Sequence, residues 1–323
     1  MAPECPLGVQ SPLPRRDPDP GGIVARVPSG DQMAHGPLAP GGDPPGRPGP
    51  YGALPGERTH PAPWRPPSSG PPTARSGLAW IVFAVLGFIV GQVVALLVIG
   101  LAAQVTGNTA RLSSITHLAA PPAWYVASSL VGLWVGFFVG PLLASLARGT
   151  RRLAADLGIA FRPIDVVGVP IGIVGQFLVT VLYLPFISHL HNFDAPTTKL
   201  TGGAHGGAFA VIAILTVVGA PFFEELFFRG LLLRGFLAVT GAWQHRSRRL
   251  LLPTVLIPVV LDGIIFGLAH FELEQLAGLA LFGCILAVVA LKTGRLGMNM
   301  VAHGTFNLVA VLAILSSRSV ILH

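Results

Sequence analysis

From Gly77 onward the chain is a succession of apolar runs, near 77–104, 122–147, 165–190, 207–233, 251–270, 274–291 and 298–316, joined by short polar connections. Each is close to the roughly 20 residues a helix needs to cross hydrocarbon. In lipid a backbone N–H or C=O without an internal partner is too costly, so such segments are helical. The sequence therefore predicts an all-α fold, a polytopic membrane helix bundle of about seven transmembrane helices; eight are also compatible with the pattern. Pro253 and Pro258 are expected to break the fifth run. Of the 323 residues 52% are hydrophobic and only 11% are charged, too little charge to cover a water-soluble domain of this length.

Residues 1–76 read differently. Proline and glycine crowd this segment, from Pro12 and Pro14 to Pro71 and Pro72. Such a composition buries too little apolar surface to offset the entropy of ordering, so a disordered N-terminal tail is expected ahead of a transmembrane domain at 77–323. The segment has no basic start, apolar core and small-residue cleavage site of a signal peptide. The net charge is +7, and the tail is nearly neutral. The excess sits in the connection after the second run (Arg148, Arg151, Arg152, Arg162), after the fourth (Arg246, Arg248, Arg249) and after the sixth (Lys292, Arg295). The first and third connections offer Arg111 and Lys199, and the fifth offers no basic residue.

Basic residues in short connections collect on the cytoplasmic side. The alternation predicts a multi-pass protein of the cell membrane, surrounded by the lipid bilayer, with a cytoplasmic N-terminus and no nucleic-acid partner. Arginine far outnumbers lysine, and alanine, glycine and proline are abundant, a composition that accords with a bacterial source. Cys5 lies in the tail and Cys284 in an apolar run, which speaks against a disulfide framework or a cysteine metal site. The sequence carries no signal for a particular oligomeric state.

Ionisable groups at membrane depth are costly and mark functional sites by default. They fall here into three groups. In the first, Glu225 and Arg229 are four apart, the spacing of a pair on one helix face, and Glu224 is turned about 100° from Glu225. Glu224 is thus free to face something else, as a general base acting on water must. The second group is Phe266 and His270. The third is His303 and Asn307, again on one face. Gly267, Ala269 and Gly304 are small enough to let helices approach closely. Each group has a structural explanation: an ion pair, a satisfied polar residue, an interhelical clamp. Two carboxylates, two imidazoles, a guanidinium and an amide together exceed what packing needs. Asp262 is a further buried carboxylate, read as a structural hydrogen-bonding residue.

Glu224-Glu225 with Arg229, Phe266 with His270, and His303 with Asn307 resemble the CPBP family of CAAX proteases and bacteriocin-processing enzymes. Gly294-Arg295-Leu296 fits the same pattern, and the likeness covers about 205–316. The resemblance implies an intramembrane endopeptidase acting on membrane-associated protein or peptide substrates, with a cavity open to the cytosolic side. It implies Glu224 as activator of water, His270 as its orienting partner, and His303 and Asn307 completing the site, Asn307 as an oxyanion donor. Glu225 and Arg229 would support the constellation by pairing. The residue types allow zinc held by Glu224, His270 and His303, or a metal-free glutamate mechanism.

Other intramembrane protease classes lack their signatures. There is no His-Glu-x-x-His, no Gly-x-Ser-x-Gly and no Gly-x-Gly-Asp, and Leu261-Asp262-Gly263 stands alone. A transporter or proton relay would place polar sites in both halves, whereas the first three runs carry almost no ionisable residues. A non-catalytic scaffold of the same fold is the remaining alternative, and it would keep its function without Glu224.

Overall fold

The computed structural model describes residues 73–115, 121–186, 204–242 and 248–321. These form seven long helices: α1 (Ala74–Val105), α2 (Ala123–Arg148), α3 (Pro163–Tyr183), α4 (Gly206–Val239), α5 (Arg248–Leu268), α6 (Leu273–Thr293) and α7 (Gly297–Ile321). Six are long and apolar enough to cross a membrane, and the apolar part of α5, Pro253–Leu268, is shorter. The described residues contain no strand, so the all-α membrane bundle holds. The tail expected at 1–76 lies outside the described residues as far as residue 72. Its boundary moves slightly, because α1 already starts at Ala74, where the Thr73 side chain accepts from the Ser76 N–H.

Glycine sets the closest helix contacts. At Gly136 of α2 a Cβ would stand 2.1 Å from the Gly87 carbonyl oxygen and 2.3 Å from the Gly91 nitrogen of α1. At Gly172 of α3 it would stand 2.3 Å from the Ala302 oxygen of α7. Bare backbone on both sides lets helices gain packing contacts that side chains would prevent, the main attraction between helices in lipid. Gly136→Ala is expected to lower stability by about 1–3 kcal/mol, the usual cost of overpacking, read as an earlier thermal unfolding in lipid. An unchanged midpoint would show that the pair can part without cost.

Pro253 and Pro258 do not break the fifth helix, contrary to the expectation from the sequence: α5 runs through both. Pro258 has no N–H for the carbonyl four residues back, that of Thr254. The Thr240 hydroxyl, at the end of α4, donates to that carbonyl at 2.7 Å. A neighbour thus replaces the missing donor, which is how proline is tolerated at membrane depth.

The bundle has two unlike ends. At the end carrying the arginine-rich connections, the short helix Leu153–Leu157 is latched down. Arg234 donates to the Asp156 carbonyl at 2.6 Å and to the Gly294 carbonyl at 3.3 Å. The Leu296 N–H donates to the Gly158 carbonyl at 2.8 Å, and Arg295 is ion-paired with buried Asp165. Asp156 accepts from the Ser145 hydroxyl at 2.6 Å and from both polar groups of Thr150. Through these contacts Gly294-Arg295-Leu296 ties the α6–α7 connection to the α2–α3 connection.

Candidate active site

The fourth helix is not a regular α-helix. Residues Leu215–Gly219 and Leu226–Leu232 are wound as π-helix, with the Ala220 N–H donating five residues back to the Leu215 carbonyl. Such segments are frequent at functional sites. Between them lies Pro221, which cannot donate to the Thr216 carbonyl five residues back. The Asn307 amide of α7 supplies the donor, its Nδ2 to the Thr216 oxygen at 2.8 Å. One turn earlier Gly304 passes so near that its Cβ would lie 2.8 Å from the Val217 oxygen. The spacing of Gly304 and Asn307 therefore matches the backbone defect that Pro221 makes in α4. Asn307→Leu is expected to cost about 1–3 kcal/mol by orphaning that carbonyl, seen as a lowered unfolding temperature. An unshifted temperature would deny Asn307 this role.

Glu225 is fully buried and sits at the centre of a polar network. Its Oε1 accepts from Arg229 Nη1 at 2.9 Å and from His303 Nδ1 at 2.8 Å; its Oε2 accepts from Asn299 Nδ2 at 3.2 Å. Arg229, also fully buried, gives Nη2 to the Gly283 carbonyl at 3.0 Å and holds Asp262 by an ion pair, Nε to Oδ2 at 3.2 Å. That last contact is charge against charge without an aligned hydrogen bond. The guanidinium carbon also lies 4.5 Å from the Phe266 ring centroid. A buried cation between two carboxylates, over an aromatic face, is the arrangement that makes charge tolerable away from water.

Glu224 points elsewhere. It lines a cavity of about 320 Å³ together with Thr216, His270, His303 and Asn307, while Glu225 and Arg229 do not line it. The Glu224 Oε2 is 3.8 Å from His303 Nε2. His303 thus bridges the two carboxylates: Nδ1 faces the acceptor Glu225, and Nε2 is left for Glu224 or a ligand. His270 is set in the same way. Its Nδ1 lies 2.8 Å from the Phe266 carbonyl, which can only accept, so this nitrogen carries the proton and Nε2 is the free one. Phe266 packs edge-on against both imidazoles, at centroid distances of 4.9 and 5.6 Å. The next residue after His270, Phe271, has φ of 55°, a conformation rarely taken by a bulky residue, just beyond the end of α5.

Five of the residues singled out in the sequence are joined here by direct or shared contacts: Glu224, Glu225, Arg229, His303 and, through Phe266, His270. Asn307 joins them as a wall of the same cavity. Sequence reasoning passed over Asn299, although Asn299, His303 and Asn307 recur every four residues on one face of α7. It assigned nothing to Thr216 or Gln176, which also line the cavity. Asp262, read as structural, is the second counter-ion of Arg229.

Zinc is the metal these residue types suit. The donors do not fit it as placed: among the described residues no group of three or more His, Cys, Asp or Glu side chains can hold a metal ion.

Residues 206–309 match the family model described as Rce1-like, Type II CAAX prenyl endopeptidase. No curated protein and no solved structure matches the chain. The matched segment runs from α4 into α7 and contains all three sequence motifs.

Proposed function

We propose that the chain, whose residues 206–309 match the Rce1-like CAAX endopeptidase model, is an intramembrane endopeptidase that hydrolyses peptide bonds of membrane-associated peptides or proteins. The cavity that Glu224, His270, His303 and Asn307 line together carries this reading. Glu224 takes a proton from a water that His270 orients through its free Nε2. The hydroxide adds to the scissile carbonyl carbon, and the oxygen gains the negative charge. Asn307 has one amide hydrogen committed to Thr216, and its second is available to that oxyanion. Collapse breaks the C–N bond, and the proton held on Glu224 passes to the leaving amine. Glu225 positions His303, and Arg229 with Asp262 and Asn299 positions Glu225. No step runs through a metal. The catalytic core is assigned to about 205–316, and the chain to a bacterial cell membrane with its N-terminus in the cytoplasm.

The test is cleavage of a membrane-peptide library by the purified protein in lipid, wild type against Glu224→Gln. Glutamine keeps the size and cannot act as a base. Cleavage that vanishes in the variant supports the reading, and repeating the assay with a chelator then separates the glutamate mechanism from a zinc-assisted one. Cleavage that survives unchanged removes Glu224 from the chemistry.

A further inference from the structure

We infer that the cavity is reached from the extracytoplasmic face, so that its substrates are peptide segments presented outside the cytoplasm. The placement of every lining element leads to this. The chain enters α2, α4 and α6 at the end of the bundle opposite the arginine-rich connections, and leaves α3, α5 and α7 there. The cavity is lined by the early part of α2 (Leu130), of α4 (Thr216) and of α6 (Gln275). From α3 and α7 it takes later residues, Tyr183 and Ala310. All lie in the same half of the bundle, away from Arg148, Arg151, Arg152, Arg162, Lys292 and Arg295. Glu272, in the α5–α6 connection itself, also lines the cavity, which therefore extends to the aqueous boundary on that side. The opposite end is tied shut by Arg234, Asp156, Gly294 and the Arg295–Asp165 pair.

Short connections rich in arginine and lysine stay in the cytoplasm. The connections at the cavity end hold Arg111, Lys199 and none in the fifth, where Glu272 and Glu274 stand instead. The cavity open to the cytosol, which the family resemblance implies, and the arginine-rich connections in the cytoplasm, which the charge pattern predicts, are therefore incompatible in this fold. The charge asymmetry is the stronger constraint, since four arginines of the α2–α3 connection would have to cross the membrane to reverse it. A peptide whose cleavage site emerges at the outer leaflet, such as an exported peptide or the outer end of a transmembrane segment, meets Glu224 and His270 directly. A segment displayed in the cytoplasm meets the latched end.

The side of access is independent of catalysis, whereas the substrate class rests on the endopeptidase reading, and the experiment separates them. In the full chain with Cys5 and Cys284 replaced by alanine, Leu273→Cys and Phe161→Cys mark the two ends, since both side chains are well exposed, at 80% and 62%. A membrane-impermeant maleimide added to intact bacterial cells is expected to label Leu273→Cys at once and Phe161→Cys only after permeabilisation. The reverse pattern, or equal labelling of both, overturns the assignment of access. A reporter peptide is then tethered to a transmembrane anchor on either side. Wild type is expected to cut the outer reporter at least about tenfold faster than the inner one, and Glu224→Gln to cut neither. Preference for the inner reporter overturns the substrate class. Outer cutting that persists in Glu224→Gln overturns the endopeptidase reading and leaves the labelling result standing.

Discussion

The Glu224→Gln protein is expected to lose cleavage by about 10²–10⁴-fold, the contribution of a positioned general base, while unfolding where wild type does. The two halves of this expectation come from different observations. Glu224 lines the cavity, and its Oε2 stands a long 3.8 Å from His303 Nε2. His303 keeps its shorter contact to Glu225 whatever stands at 224. An amide of the same shape therefore strands no buried charge, and a stability change within about 0.5 kcal/mol follows for a side chain whose Oε2 makes no hydrogen bond. The neighbouring Glu225→Gln is the control. It weakens an acceptor shared by Arg229, His303 and Asn299, so activity and stability should fall together. Initial rates and thermal unfolding on the same lipid preparations separate the two carboxylates. A stable, fully active Glu224→Gln protein would leave the site without its base.

Removing Arg229 should have the largest effect on stability. Arg229→Met keeps much of the side chain's apolar length but leaves Glu225 and Asp262, both without exposed surface, facing each other with no cation between them. Breaking a buried ion pair at one partner costs about 3–5 kcal/mol, because an uncompensated charge stays behind, and here two carboxylates are left. Loss of folded protein in detergent is the expected outcome. Adding Asp262→Asn to Arg229→Met should recover part of the loss, as residues of one network are not additive. Refolding of Arg229→Met with wild-type stability would show that the cluster does not depend on its cation.

The cluster also marks how far one-dimensional reading reaches. Glu225 with Arg229, and His303 with Asn307, were legible as pairs because four residues along a helix return a side chain to the same face. Asn299 followed the same rule and was available to it. Asp262 and Gly283 were not, since their place beside Arg229 depends on where α5 and α6 pack against α4. Thr216 was hidden for a further reason. Its carbonyl is exposed by Pro221 and by the π-helical winding around it, and periodicity shows neither.

The helical class, the span positions and the three motifs follow from hydrophobic length and helical spacing, which are local properties that each segment carries with it. The joining of the motifs, the walls of the cavity, and the continuity of α5 through two prolines belong to contacts between segments far apart in the chain. Thr240 repairs the defect made by Pro258, Asn307 repairs the one made by Pro221, and Gly136 brings α1 and α2 to backbone distance. In a membrane, a backbone group that one segment leaves unsatisfied must find its partner in another, so only the packed bundle says which residues meet.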